Sequence, residues 1–266
     1  MGIKKFVKSS LRKVGYQLNS IETIKCKDDK PKELIKELYG IYRELLFKEM
    51  PLYDEAKIDL MANLLGTGIS ESIYIINYLN RSLKLDGDIC EFGVAQGATS
   101  ALMANEIRNT EKSIWLFDSF EGLPKPTEKD VLKDDIFNLG SMEHYAGTMS
   151  YKVDVLKEKL RDINYPLSKI IIIQGFIEET INQPNLPDKV CFAYIDFDFY
   201  NPILIALNYL DKVLEINGVI IVDDYDFFST GAKSSVDEFI NLHKEKYTLL
   251  FPIKAAGYFC IIEKLS

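Results

Sequence analysis

The chain is poor in the residues that most often hold metals or carry redox chemistry, with only two histidines and four cysteines among 266 residues. Cys26, Cys90, Cys191 and Cys260 form no C-x-x-C pair, and three of them fall inside apolar, strand-like runs. They read as reduced core residues, which leaves no basis for a thiolate zinc site. No apolar run approaches the roughly 20 residues of a membrane span, and no signal-peptide core follows the start, so the expected location is the cytoplasm. Excess positive charge is also missing: a formal charge of -8 and a pI near 5.0 give no field for nucleic acid, which is not an expected partner. No G-x-G-x-x-G turn occurs, so a nicotinamide-dependent oxidoreductase lacks its usual signature.

What is present is an ordinary globular composition, 47% hydrophobic and 27% charged, in a chain long enough to bury a full core. The start breaks the acidic pattern. MGIKKFVKSSLRKVGYQL sets Lys4, Lys5, Lys8, Arg12 and Lys13 against Ile3, Phe6, Val7, Leu11 and Val14 at helical spacing. A solvated or partner-packed helix is one reading, and weak peripheral contact with an anionic membrane surface is the other. Phe6 stands where a myristoylation signal needs Ser or Thr.

From Lys32 to Leu85 the apolar spacing is helical throughout, so residues 1–85 are expected to form a helical extension that packs on or caps a site in the domain of residues 86–266. From Asp88 onward, short β-rich runs alternate with helical ones. DICEFGV, SIWLFDSF, KIIIIQG, VCFAYIDF and GVIIVDD are separated by amphipathic stretches. This alternation predicts an α/β fold with a doubly wound, mostly parallel sheet, and the uninterrupted IIII and VIIV runs predict burial on both faces. YTLLFPI and GYFCIIEKL follow each other without a helix, which predicts a terminal hairpin with an antiparallel edge strand. The polar stretch from Gly122 to Ser150 is expected to be a mobile excursion over the site or a surface insertion.

Ligands of such sheets bind beyond the carboxyl ends of the strands. The first strand ends in EFGVAQGATS, where Gly93 and Gly97 permit a tight turn that exposes N–H groups before a helix. The second ends in WLFDSFEGLP, where Asp118 is placed to accept hydrogen bonds from both hydroxyls of a ribose, or to cap a helix. The third ends in IIIIQGFIEET, where Gln174, Gly175 and Phe176 could frame an adenine ring. The fourth and fifth end in acids: YIDFDFYNP carries Asp196 and Asp198, and VIIVDDYD carries Asp223 and Asp224. Neighbouring strands lie about 4.8 Å apart, so Asp196, Asp223 and Asp224 can converge, and a hard divalent cation would relieve their repulsion. Strand-end acids also face solvent or cap helices, and that alternative stands. Side chains at i and i+2 share a face only in extended chain, so Asp196 and Asp198 are expected to border one pocket if extension persists to residue 198, and to part if a turn begins at Phe197.

EFGVAQG, FDSFEGLP, YIDFDFYNP and VIIVDDY, in that order between Asp88 and Glu238, resemble the macrocin O-methyltransferase family of sugar methyltransferases. The resemblance implies a seven-stranded, Rossmann-like class I methyltransferase fold with S-adenosylmethionine (SAM) as methyl donor. It implies donor contacts from Glu91, Gly93, Gly97, Thr99, Ser100, Asp118, Ser119 and Asp196. It further implies magnesium held by Asp196, Asp223 and Asp224, with Asp198 as the base on an acceptor hydroxyl. His144, in SMEHYAG of the excursion and outside the resemblance, is the runner-up base. Phe197 stands where family members often have glycine. The expected acceptor is a small molecule or glycan, and a homo-oligomer is the expected assembly. A catechol-type phenolic methyltransferase is the nearest alternative, although its metal set usually ends in Asp-Asn rather than Asp-Asp.

Overall fold

In a computed structural model of the chain, residues 30–266 are described. Cys26 and the basic segment near the start lie outside them. Among the described residues three helices come first: α1 (Lys30–Leu45), α2 (Glu55–Ala62) and α3 (Ile69–Ser82). The alternating part follows as β1 (Asp88–Phe92), α4 (Ala98–Glu106), β2 (Ile114–Asp118), α5 (Val153–Asp162), β3 (Ile170–Gln174), α6 (Ile177–Thr180), β4 (Val190–Ile195), α7 (Tyr200–Val213), β5 (Leu214–Val222), α8 (Gly231–Leu242), β6 (Tyr247–Leu250) and β7 (Cys260–Lys264).

The seven strands form one sheet in the order β3-β2-β1-β4-β5-β7-β6. β1 pairs in parallel with both β2 and β4, so chain order reverses beside it, and a cleft opens at the carboxyl ends of β1 and β4. The antiparallel C-terminal strand is β7. It inserts between β5 and β6, and its hairpin partner β6 becomes the outer edge. No helix among the described residues is long and apolar enough to cross a membrane.

Alternate strand residues feed two cores. Ile89, Leu116, Phe192, Tyr194 and Ile221 pack toward α1–α5. Cys90, Phe92, Ala193, Ile195 and Val222 pack toward α7 and α8. Every residue of β4 is buried, and so is the VIIV run of β5, as expected. The IIII run of β3, also expected to be buried on both faces, is only half-buried because β3 is an edge of the sheet. The early helices are tied to the sheet layer by a buried Lys57 Nζ–Glu106 Oε2 ion pair of 3.0 Å, to which Asn80 adds a hydrogen bond of 2.8 Å.

The excursion lies over the cleft, as expected, but it is pinned at several points. Its 3₁₀ turn (Met142–Tyr145) buries Tyr145 between Phe137 and Phe228, at ring distances of 5.6 and 5.4 Å. Lys133 N donates to Phe228 O at 2.8 Å. The carboxylate of Asp130 accepts from Tyr200 N at the first turn of α7 and from Thr127 N, both at 2.7 Å. Asp130→Ala removes a helix cap supplied from 70 positions away, and is expected to destabilise the fold by about 1–2 kcal/mol in denaturant titration. An unchanged midpoint would mean that the excursion does not support α7.

Candidate active site

The glycine turn after β1 is built around close approach. Gly93 has φ +87, and a Cβ there would lie 1.9 Å from Asp196 O, so the first and fourth strand ends meet with no room for a side chain. Gly97, at φ +76, opens α4. Val94 N and Ala95 N donate to Asp118 Oδ2 at 2.7 and 2.9 Å, and Phe120 N donates to Oδ1 at 2.6 Å. A carboxylate offers about four acceptor positions, so roughly one remains for a ligand hydroxyl. The expected pair of ribose contacts therefore meets one open position in this arrangement.

Other residues expected near the donor divide between cavity and core. A cavity of about 460 Å³ is lined by Gly93, Asp118, Ser119, Gly175, Phe176 and Asp196 among them. Glu91, Thr99 and Ser100 turn inward instead. Ser100 Oγ donates to Glu91, and the Thr99 and Thr67 hydroxyls share a hydrogen bond of 2.6 Å. Burial pushes the Glu91 carboxyl up to about 8, with Asp118 adding to the shift and the Ser100 bond opposing it. Gln174 is exposed at the end of β3 and lies outside the lining, as does Gly97. His144 is exposed, with its ring bonded to Leu139 O at 2.8 Å, and is likewise absent from the lining.

Leu65 and Gly66 also line the cavity and lie outside every motif. Glu178, in the lining, and Gln96, whose Nε2 donates to Leu65 O at 3.0 Å, lie inside IIIIQGFIEET and EFGVAQG without being singled out by them. Leu65 and Gly66 come from the loop before α3. The excursion supplies Leu123, Pro124, Ile136, Phe137 and Met149, all apolar. Among the described residues, every charged side chain in the lining is an acid.

The ladder continues past the strand ends, with Asp196 N donating to Phe92 O at 2.7 Å and Asp223 N to Ile195 O at 2.8 Å. Extension then stops: Asp198 has φ +61, and Phe199 N turns back to Phe197 O. The expectation that such a turn would part the two acids is overturned. Oxygens of Asp196, Asp198 and Asp224 all lie within 4.8 Å of one another, because the left-handed residue swings Asp198 back toward the end of β5. Asp224 is left-handed as well, at φ +54. Aspartate tolerates that region better than most residues.

Asp223, expected in this cluster, is engaged elsewhere. Its Oδ2 accepts from Tyr194 Oη at 2.8 Å and its Oδ1 from Asp224 N at 2.7 Å, although the residue still borders the cavity. Burial, then the neighbouring carboxylates, push Asp196, Asp198 and Asp224 well above the usual carboxylate range. Asp198 and Asp224 stand within hydrogen-bonding reach of each other. Three carboxyl groups this close, with no cationic side chain among the described lining residues, fit a hard divalent cation by donor type and by uncompensated charge.

Comparison with known proteins agrees with this architecture. The family described as Macrocin-O-methyltransferase (TylF) matches residues 77–260. A demethyldecarbamoylnovobiocin O-methyltransferase of Streptomyces niveus is 24% identical over 162 residues, 59% of each chain. A mycinamicin III 3''-O-methyltransferase of Micromonospora griseorubida is 26% identical over 147 residues, 52% of this chain and 55% of its own. The chain thus spans less than two thirds of the length of these curated relatives. Among solved structures, the O-methyltransferase NovP superposes with a TM-score of 0.63 at 19% identity, covering 88% of this chain and 98% of its own. The calicheamicin methyltransferase CalS11 gives 0.57 at 20% identity, over 95% and 96%. At these identities the likeness is one of fold.

Proposed function

The chain belongs to the macrocin O-methyltransferase family, and from that premise we propose that it moves a methyl group from SAM to a hydroxyl of a sugar, with a divalent cation such as magnesium at the acidic centre. The observation that carries the reading is the convergence of Asp196, Asp198 and Asp224 in a cavity that also contains Asp118.

SAM, when bound, supplies a methyl carbon already activated on sulfonium, which leaves the protein to present an oxygen in line with it. We assign the donor to the side of the cavity formed by Gly93, Asp118, Ser119, Gly175 and Phe176. A cation held by Asp196, Asp198 and Asp224 would supply Lewis-acid polarisation of the acceptor hydroxyl. Asp198, the most enclosed of the three, is assigned the hydroxyl proton. The helices before Asp88 act in this reading as part of the cap, through Leu65 and Gly66.

The all-acidic lining favours an acceptor that carries no phosphate where it enters the cavity, since no lysine, arginine or histidine among the described residues borders it to pair with one. Transfer from labelled SAM to a panel of neutral glycosides, sugar phosphates and catechols tests the proposal. The expected result is methylation of a neutral glycoside, lost with EDTA and restored by magnesium. Methylation of catechols alone would replace the sugar reading with the phenolic one, and a rate indifferent to EDTA would remove the cation. Asp118→Asn removes the charge and turns an amide NH2 toward a backbone N–H that the carboxylate accepts, so S-adenosylhomocysteine should bind at least about tenfold less tightly by calorimetry. Unchanged affinity would move the ribose away from Asp118.

A further inference from the structure

We propose that Glu71 and Tyr194 are positioning residues of the acidic centre, which, through Asp223, brace the backbone at Asp224 so that its carboxylate meets those of Asp196 and Asp198. The inference rests on the cation-site reading above.

The brace is continuous and buried. Tyr194 Oη lies 3.0 Å from Glu71 Oε1 and 2.8 Å from Asp223 Oδ2. Glu71 and Asp223 are also within hydrogen-bonding reach of each other. Asp223 Oδ1 then accepts the N–H of Asp224, whose φ of +54 is the conformation that needs holding. A left-handed non-glycine residue costs about 1 kcal/mol or more, and it persists where surrounding contacts over-determine it.

Neither Glu71 nor Tyr194 borders the cavity, so neither can touch donor or acceptor. Glu71 is 5% exposed and Tyr194 fully buried. An apolar side chain at position 71 would spare the fold the burial of a carboxyl group, so packing alone gives no reason for glutamate there. The geometry gives each carboxylate oxygen a partner: Oε2 accepts from Gly68 N at 3.4 Å at the start of α3, and Oε1 faces Tyr194 Oη, the contact that leads on to Asp223. Glu71 also stands ahead of the stretch matched by the family, residues 77–260, on a helix laid against β4 and β5.

The test uses the full chain with Mn²⁺ alone, in calorimetric titration without acceptor, and compares Glu71→Leu, Glu71→Gln and Tyr194→Phe with wild type. Thermal melting and S-adenosylhomocysteine affinity are read alongside. Loss of groups that orient metal ligands typically weakens metal binding by roughly 10- to 100-fold, and that range is expected for Glu71→Leu and Tyr194→Phe. Glutamine can donate an amide N–H to Tyr194 Oη while the single Tyr194 proton stays on Asp223, so Glu71→Gln should stay close to wild type. Donor-product affinity should be unchanged in all three, which a general loosening of the fold would not leave intact. If Glu71→Leu does not fold, Tyr194→Phe decides.

Mn²⁺ affinity equal to wild type in Tyr194→Phe, with wild type binding, would overturn the brace and leave the cation site standing. Equal weakening by Gln and Leu at position 71 would overturn the hydrogen-bonding account. A wild-type chain that binds no Mn²⁺ would overturn the cation reading and the brace together.

Discussion

Asp198→Asn is expected to lower the rate of methyl transfer by a factor of about 10² to 10⁴ while leaving the fold and donor affinity unchanged, because it removes the proposed proton acceptor and one oxygen ligand. The substitution isolates chemistry from structure for a conformational reason. Residue 198 is left-handed at φ +61, and asparagine enters that region as readily as aspartate. Alanine there would add backbone strain to the lost charge and confuse the two. In the absence of a cation, the amide also relieves repulsion among buried acids, so the melting temperature should hold or rise. Single-turnover kinetics with labelled SAM, set beside calorimetry with S-adenosylhomocysteine, measure the two effects separately. A rate within about tenfold of wild type would send the base elsewhere, and His144 gives little alternative, since it is exposed and lies outside the cavity lining.

Gly93→Ala should be the most damaging single-methyl change in the site. The new Cβ would sit 1.9 Å from Asp196 O, a backbone atom held in the β1–β4 ladder, and φ is +87. Relief requires the two strand ends to separate, which breaks the Asp196 N–Phe92 O bond and moves Asp196 itself. The expected destabilisation is about 4 kcal/mol, or a fall in melting temperature of roughly 10 °C for a chain of this size. Gly97→Ala gives the contrast. Its Cβ would meet Leu156 Cδ1 at 2.3 Å, the far end of a buried side chain rather than backbone, so the core can repack around it and about 2 kcal/mol is expected. Thermal melts of the two variants should therefore differ clearly. Equal shifts would mean that φ alone, and not the strand contact, governs this turn.

The parallel sheet was legible because β2, β3, β4 and the VIIV end of β5 are apolar runs of strand length, and their ends were legible because each run stops at an acid or just before a glycine. Strand order was less so. The place of β7 inside β6 depends on which strand reaches β5 first, and no local pattern records that. Asp198 shows the same limit at the scale of one residue. Its side chain was readable as a site acid, but its turn is set by Phe199 N on Phe197 O and by Asp130 capping Tyr200 from the excursion. Thr99 and Ser100 were placed near the donor from a loop motif, yet both belong to the first turn of α4, where the helix face is fixed by packing against Thr67 and Glu91. Glu71 was invisible for a further reason. Its partners, Tyr194 and Asp223, are 123 and 152 positions away, so its burial looks in sequence like an ordinary first-turn acid of a helix.

The pinning of the excursion also sets an order of assembly. Its anchors run from Asp130 to Tyr200 and from Lys133 to Phe228, and Lys129 reaches Glu238 across 109 positions. During synthesis the strand ends assigned to the donor, all before residue 177, can exist while the excursion still has nothing to dock on. Only after β5 and α8 emerge do the apolar wall and the acidic turn acquire their supports. Because contacts of such separation form late in folding, the acceptor half of the cavity and the acidic centre mature as one unit, after the donor half has taken shape.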